Sequence, residues 1–263
     1  MAAPPPEIAA RIQALQATLG SAEALSAVLA CGPAAIPLLR HELFTGRLES
    51  IPDSRRALVE ALAGLDAQQV LLDYLDQPPV PADPVCAFAE EAVQSAAARL
   101  LADTPRARQV LRRVLPRRCL SGVIEQAGAW RDLDALPAII RCLASDPCRR
   151  AAATALAGFG APAIGALIDS ALDTGADTPS DRLRRLESLK IILDLPLSSA
   201  QWAPLRPLAG SADPTLAARA ILVGLRHASG AERPTLVQRA AALASRLDWE
   251  LDKELRAAAA AWR

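Results

Sequence analysis

Polar and apolar positions alternate in a regular way along the 263 residues of this chain. Runs of small and aliphatic side chains are separated by short segments in which Asp, Ser or Pro suits the first positions of a helix. These helix-start signals lie at Ser21, Asp53, Asp83, Pro116, Asp146, Asp181, Asp213 and Asp248. Successive signals are 32, 30, 33, 30, 35, 32 and 35 residues apart. A period in this range is typical of stacked helical units, so the sequence predicts an all-α repeat protein.

Each interval between signals predicts two helices joined by a tight turn. In the clearest interval, Asp146 is expected to cap the first helix and Pro147 to occupy its first position. Gly158 and Gly160 are then expected to supply the freedom for the turn, and a second helix follows from Ala161.

This interval resembles a HEAT repeat of the bacterial, PBS-lyase type. Its first helix has basic residues followed by small ones and then Leu and Gly, a pattern that residues 55–64 share. Residues 35–39 and 135–140 share the Ala-hydrophobic-Pro pattern of the second helix. The resemblance is strongest over 132–173 and looser elsewhere. It implies a right-handed α-solenoid of about seven helical hairpins.

The sequence predicts one solenoid domain over residues 1–263. Its expected parts are an N-terminal capping helix in 1–20, helical-hairpin repeats in 21–247 and a C-terminal capping helix in 248–263. Capping helices are expected because the end units of a solenoid have to cover its exposed apolar faces.

The N-terminal sequence, the alanine run and the cysteines bear on the cellular compartment of the protein. The N-terminus lacks the basic and apolar regions of a signal peptide, and the alanine run at 257–261 is too short to span a bilayer. The five cysteines form no C-x-x-C pair, which favours small apolar residues in a reducing compartment over zinc ligands. A redox pair between Cys142 and Cys148 is the alternative. We therefore expect a cytoplasmic protein without a membrane segment.

Groups that could form a catalytic or metal site are scarce. Motifs of nucleophilic hydrolases, phosphate-binding loops and dinucleotide-binding folds are absent. Of the two histidines, only His41 is followed by Glu, whereas HEAT-like deoxyhypusine hydroxylases bind iron through repeated His-Glu pairs. The sequence therefore predicts no metal and no cofactor, and it favours a binding function over an enzymatic one.

Charge is concentrated in the middle of the chain, although the net charge is zero. Residues 1–103 carry six basic and thirteen acidic side chains, whereas residues 104–150 carry ten basic and four acidic ones. The arginine-rich segment consists of Arg106, Arg108, Arg112, Arg113, Arg117 and Arg118. No acidic residue lies between Asp103 and Glu125 to relieve the repulsion among these arginines.

Helical periodicity separates this segment into two faces. At about 100° per residue, one side of a helix carries Ala107, Val110, Leu111, Val114 and Leu115, and the arginines from 106 to 113 lie opposite. The resemblance implies that this second helix lines the concave surface of a solenoid. Either the arginines are a solvated polar face or they bind a partner.

Two tryptophans leave similar alternatives. Trp130, which precedes Arg131, is either a binding hot spot beside the arginines or a core residue. Trp202 either fills space in its repeat or faces the groove.

These observations predict a scaffold or adaptor that binds a protein or peptide with an acidic surface. The candidate binding residues are Arg106, Arg108, Arg112, Arg113, Arg117, Arg118, Trp130 and Arg131. Self-association through the acidic N-terminal third of another copy is a further possibility. The alternative function is nucleic-acid binding, as in HEAT-like alkylpurine DNA glycosylases, which use Trp and Asp side chains near the lesion. This sequence offers Trp130, Arg131 and Asp132, but the motifs of that family are not matched residue by residue. The neutral net charge disfavours it, because duplex affinity depends on many phosphate contacts.

Overall fold

The computed structural model describes residues 5–46, 48, 52–175, 178–243 and 246–262. Over these residues the chain is helical and has no strand, which confirms the predicted all-α class. The chain divides into two compact units, Met1–Trp130 and Arg131–Arg263.

In the described part, no single helix is both long and apolar enough to cross a membrane. Two sharply bent pairs, Ala22–Leu29 with Gly32–Thr45 and Arg149–Phe159 with Ala161–Leu172, reach that length and composition only jointly.

The first unit contains eight α-helices in the residues that are described. They are α1 Pro6–Ala17, α2 Ala22–Leu29, α3 Ile36–Thr45, α4 Pro52–Gly64, α5 Gln68–Asp76, α6 Pro84–Arg99, α7 Pro105–Val114 and α8 Ser121–Ala129. A 3-10 turn, Gly32–Ala35, leads into α3. Helix α1 coincides with the predicted N-terminal helix.

The second unit also contains eight α-helices within the described ranges. They are α9 Leu136–Arg141, α10 Arg149–Phe159, α11 Ile164–Leu172, α12 Pro179–Asp194, α13 Ser199–Trp202, α14 Pro214–His227, α15 Arg233–Leu243 and α16 Trp249–Ala260. Short 3-10 segments occur at Leu133–Ala135, Cys142–Ala144, Ala161–Ala163 and Ala203–Gly210. Helix α16 coincides with the predicted closing helix.

Six of the eight predicted start signals coincide with the start of a helix. The side chains of Ser21, Asp83, Asp213 and Asp248 cap α2, α6, α14 and α16 by accepting hydrogen bonds from backbone N–H groups. Helix α4 begins at Pro52, beside the signal at Asp53. At α12 the cap is Thr178, and Asp181 completes a reciprocal capping box.

The signals at Pro116 and Asp146 were wrong. Pro116 lies in the turn that closes α7, where the backbone N–H of Arg118 donates to the Val114 carbonyl, and the next helix starts only at Ser121. The Asp146 carboxylate pairs with the Arg149 guanidinium instead of capping α10.

The turn after α10 only partly follows the prediction. Gly158 lies inside α10, whereas Gly160 follows its end with a φ of +66°, a conformation that glycine adopts without strain.

The helix pair over residues 179–210 also departs from the predicted regularity. Its second member is α13, four residues long, followed by the 3-10 segment Ala203–Gly210. Pro207 lies inside this segment and cannot donate the hydrogen bond that an α-helix needs there.

Alternate helices pack on one another within each unit. In the first unit α2 contacts α4, α4 contacts α6, α6 contacts α8, and α5 contacts α7. In the second unit α10 contacts α12, α12 contacts α14, and α14 contacts α16. A second row in that unit runs through α9, α11, the 3-10 segment Ala203–Gly210 and α15. The first helices of successive pairs therefore form one layer of each unit, and the second helices form another.

Ion pairs join neighbouring helices of the first-helix layer. They are Arg55–Glu90 at 2.9 Å, Arg99–Glu125 at 2.6 Å, Arg182–Asp213 at 2.5 Å, Arg226–Asp194 at 2.9 Å and Arg219–Glu254 at 2.7 Å. Four of these five pairs join residues separated by 31 to 35 positions, which is the spacing of the start signals. The sequence period therefore has a counterpart in the side-chain contacts between successive helix pairs.

One of these pairs is buried and forms the centre of a polar network in the first unit. Arg55 and Glu90 are only 2% and 3% exposed. The Arg55 guanidinium donates two hydrogen bonds to the Glu90 carboxylate and a third, of 2.7 Å, to the carbonyl of Leu43 at the end of α3. The hydroxyl of Tyr74 on α5 also donates to Glu90. Four helices, α3 to α6, thus share one set of satisfied polar groups.

Replacing Glu90 by Ala is expected to lower the free energy of unfolding by about 3–5 kcal/mol, because it leaves the Arg55 charge buried without its partner. Urea denaturation followed by circular dichroism measures this change. The matched control is Glu125→Ala, which removes a half-exposed ion pair with Arg99 and is expected to cost about 0–1 kcal/mol. Equal losses in the two variants would contradict the assigned role of the buried network.

Candidate functional site

The arginine-rich segment forms α7 and the turn that follows it. Thr104 caps the helix by accepting a hydrogen bond of 3.1 Å from the backbone N–H of Ala107. Its apolar face is buried as the helical wheel predicts, through Ala107, Val110, Leu111, Val114 and, in the following turn, Leu115. Packing of this face against α5 and α8 leaves the arginine side for polar contacts.

Arg108 connects α7 to the end of α8. Its guanidinium forms two hydrogen bonds of 2.7 Å to the carboxylate of Asp103 and one of 2.9 Å to the carbonyl of Trp130. The same group lies 5.9 Å from the centre of the Trp130 ring, within the range of a cation–π contact. Its hydrogen bonds hold the pKa of the Asp103 carboxyl below the usual range. No acidic residue lies between Asp103 and Glu125, so the charge of Arg108 is compensated by Asp103 itself, just before α7.

Arg113 and Arg118 connect the segment to α5 and α6. The Nη2 atom of Arg113 lies 3.1 Å from Oδ2 of Asp76, at the end of α5. Arg118 donates to the side-chain oxygen of Gln94 on α6 at 2.6 Å and to the carbonyl of Leu75 on α5 at 2.5 Å. Partial burial lowers the pKa of the Arg118 guanidinium, an effect that the nearby carboxylate of Glu91 opposes. The hydrogen bonds of Arg118 and the ion pair of Arg113 thus connect the segment to α5 and α6.

The other three arginines of the segment are exposed. Arg106 donates to Gln109 on its own helix, at 3.2 Å, and Arg112 follows further along the same helix. Arg117, in the turn after α7, has no carboxylate partner among the described residues. The segment thus contains three arginines that bind other parts of the fold, Arg108, Arg113 and Arg118, and it presents Arg106 and Arg117 to solvent.

Trp130 and Arg131 differ in their surroundings. Trp130 follows α8, is partly exposed and lies within cation–π range of Arg108, so it is neither a core residue nor an isolated surface ring. Arg131 is exposed and has a φ of +49°, a left-handed conformation in which it closes the turn. Asp132 is 2% exposed. Arg108 and Trp130 are therefore the two predicted binding residues that the fold brings into direct contact.

A cleft in the second unit was not predicted as a site. It has a volume of about 510 Å³ and lies between the 3-10 segment Ala203–Gly210 and α15. Its lining combines Trp202, Arg206 and Pro207 on one side with Glu232, Leu236 and Arg239 on the other. The only signal in the sequence was Trp202, for which a position facing a groove was one of two alternatives.

Among the described residues, no group of three or more His, Cys, Asp or Glu side chains could hold a metal ion. Comparison with family models, with curated proteins and with solved structures finds no match for this chain.

The division of the arginines predicts different effects of two adjacent substitutions. Arg118→Ala is expected to lower the free energy of unfolding by about 1–3 kcal/mol, because it leaves the Leu75 carbonyl and the Gln94 amide without their donor. Arg117→Ala, at an exposed position, is expected to change that free energy by no more than about 0.5 kcal/mol. Urea denaturation of both variants tests this, and a larger loss for Arg117→Ala would reverse the assignment.

Proposed function

We propose that this protein is a non-enzymatic scaffold that binds an acidic surface or peptide of a protein partner through the arginine-rich segment. The single observation that carries the proposal is that some arginines of this segment bind other parts of the fold while others face solvent. Arg108, Arg113 and Arg118 are engaged by the fold, whereas Arg106 and Arg117 are exposed and pair with no carboxylate among the described residues. A segment fixed on one side and cationic on the other offers a rigid, preorganised surface to a carboxylate-bearing partner.

Arginine chemistry favours a carboxylate-rich partner surface. The planar guanidinium offers donors in a fork that matches two carboxylate oxygens, and it is always charged. Trp130, which is partly exposed and held against Arg108, adds an aromatic side chain of the kind enriched at the centres of interfaces. Arg131 follows it directly in the chain and is also exposed.

We also propose that the helix pairs are HEAT-like repeats of a right-handed α-solenoid with about seven hairpins and a capping helix at each end. Support comes from the packing of alternate helices within each unit and from ion pairs that link residues one repeat apart. In such an array each repeat contacts its neighbours, and the second helices, α7 among them, line the concave binding face.

The proposed setting is the cytoplasm. The deeply buried thiols of Cys142 and Cys148 are consistent with cysteines used as small apolar residues in a reducing compartment. No cofactor is part of the proposal. Nucleic-acid binding is the alternative function. Asp132, one of the three residues considered for such a site, is almost completely buried.

The test compares capture of partners from native lysate by the wild-type protein and by the double variant Arg106→Glu, Arg117→Glu. Each capture is run at low and moderate salt, with and without nuclease. We expect a protein band that survives nuclease in the wild-type lane and is lost in the variant, because the reversed charges repel an acidic surface. Circular dichroism and the unfolding midpoint of the variant should stay unchanged.

The matched control is the double variant Arg150→Glu, Arg246→Glu, which makes the same change in net charge at exposed positions outside the arginine-rich segment. It should retain the band. Equal capture by all three proteins would refute the assignment of the partner to the arginine-rich helix. Loss of the captured material on nuclease treatment would replace the proposal by nucleic-acid binding, which the higher salt should also weaken.

A further inference from the structure

The cleft in the second unit has the size and the composition of a small-molecule site. Its volume of about 510 Å³ lies within the range of roughly 300–1,000 Å³ that is usual for such sites. Trp202, Pro207 and Leu236 give it apolar walls, and Arg206, Glu232 and Arg239 are its charged groups. Apolar walls with a few convergent polar groups are the usual features of a site for an organic ligand.

The cleft has two arginines but only one carboxylate among its lining residues. Arg206 pairs with Glu232, with 2.6 Å between Nε and Oε1. Arg239 also lines the cleft, and no carboxylate among the described residues pairs with it. One guanidinium is therefore available for a single negative charge. Because the Glu232 carboxylate would repel a ligand with two or more negative charges, the cleft favours a monoanion.

The tryptophan of the cleft is almost completely buried. Trp202 is only 1% exposed, yet its indole N–H has no hydrogen-bond partner in the described structure. Its ring packs closely on α14, where a side chain added at Gly224 would come within 2.6 Å of it. The Trp202 ring is therefore part of the packed floor beneath the cleft.

From this arrangement we infer that the cleft binds a small organic monocarboxylate with an apolar, preferably aromatic, body. The carboxylate pairs with Arg239, and the body lies against Trp202, Pro207 and Leu236. The site belongs to the second unit and uses none of the arginines of α7, so it is independent of the proposed scaffold function.

The probe is 4-phenylbutyrate, compared with its neutral analogue 4-phenylbutyramide, in ligand-observed NMR titrations of the full chain. We expect the acid to bind about tenfold more tightly than the amide, which is the effect of one charge-assisted hydrogen bond. Arg239→Gln should remove this preference by weakening only the acid. Glu232→Gln should tighten binding of the acid, because it frees Arg206 and removes a competing negative charge.

The matched control is Arg150→Gln, an exposed arginine of the same unit that does not line the cleft, and it should bind both probes as the wild type does. Circular dichroism establishes that each variant is folded. Equal affinities for acid and amide, an Arg239→Gln variant that keeps the preference, or no saturable binding at millimolar acid would each overturn the inference. If Arg239→Gln does not fold, the comparison of acid with amide and the Glu232→Gln variant still decide it.

Discussion

The buried ion pair between Arg55 and Glu90 is the contact on which the first unit depends. Burying two charges is unfavourable unless nearly every donor and acceptor is satisfied, and here the Leu43 carbonyl and the Tyr74 hydroxyl complete the set. Because its members come from four different helices, the network loses hydrogen bonds when any of these helices shifts. It therefore constrains α3, α4, α5 and α6 more specifically than apolar packing alone would, since aliphatic side chains tolerate small shifts.

The candidate binding surface depends on this constraint. Glu90 and Gln94 lie one turn apart on α6, and Tyr74 is followed directly by Leu75 and Asp76 on α5. The residues that hold the buried network are therefore next to those that receive Arg113 and Arg118 from the arginine-rich segment. A shift of α5 or α6 would move the acceptors of these two arginines. The backbone that carries the exposed Arg106 and Arg117 is thus held through Arg113 and Arg118.

Much of the local structure could be predicted from the sequence, because it depends on residues close together in the chain. The caps at Ser21, Asp83, Asp213 and Asp248 and the apolar face of α7 are of this kind. The start signals at Pro116 and Asp146 failed because a competing contact used the same residues, the closing turn of α7 in one case and the Arg149 side chain in the other.

The partners of the arginines could not be predicted, because they come from other parts of the fold. The segment has no acidic residues of its own, yet Asp76 reaches Arg113 from the preceding helix pair. The buried network and the cleft could not be predicted for the same reason, because their residues come from separate helices. Arg55 and Glu90 are 35 residues apart, and the cleft forms only where the 3-10 segment that contains Pro207 lies opposite α15. A helical pattern assigns residues to faces, but not to partners on another helix.

The most direct test of the link between the buried network and the arginine-rich segment is amide hydrogen exchange in the wild type and in a Glu90→Gln variant. It is measured under conditions in which both proteins are folded. Local opening is reported residue by residue in such an experiment. If the buried pair positions the arginine-rich helix, Val110 and Leu111 of α7 should lose protection together with the amides of α5 and α6. If α7 keeps its wild-type protection while α5 and α6 lose theirs, the arginine-rich surface does not depend on the buried network.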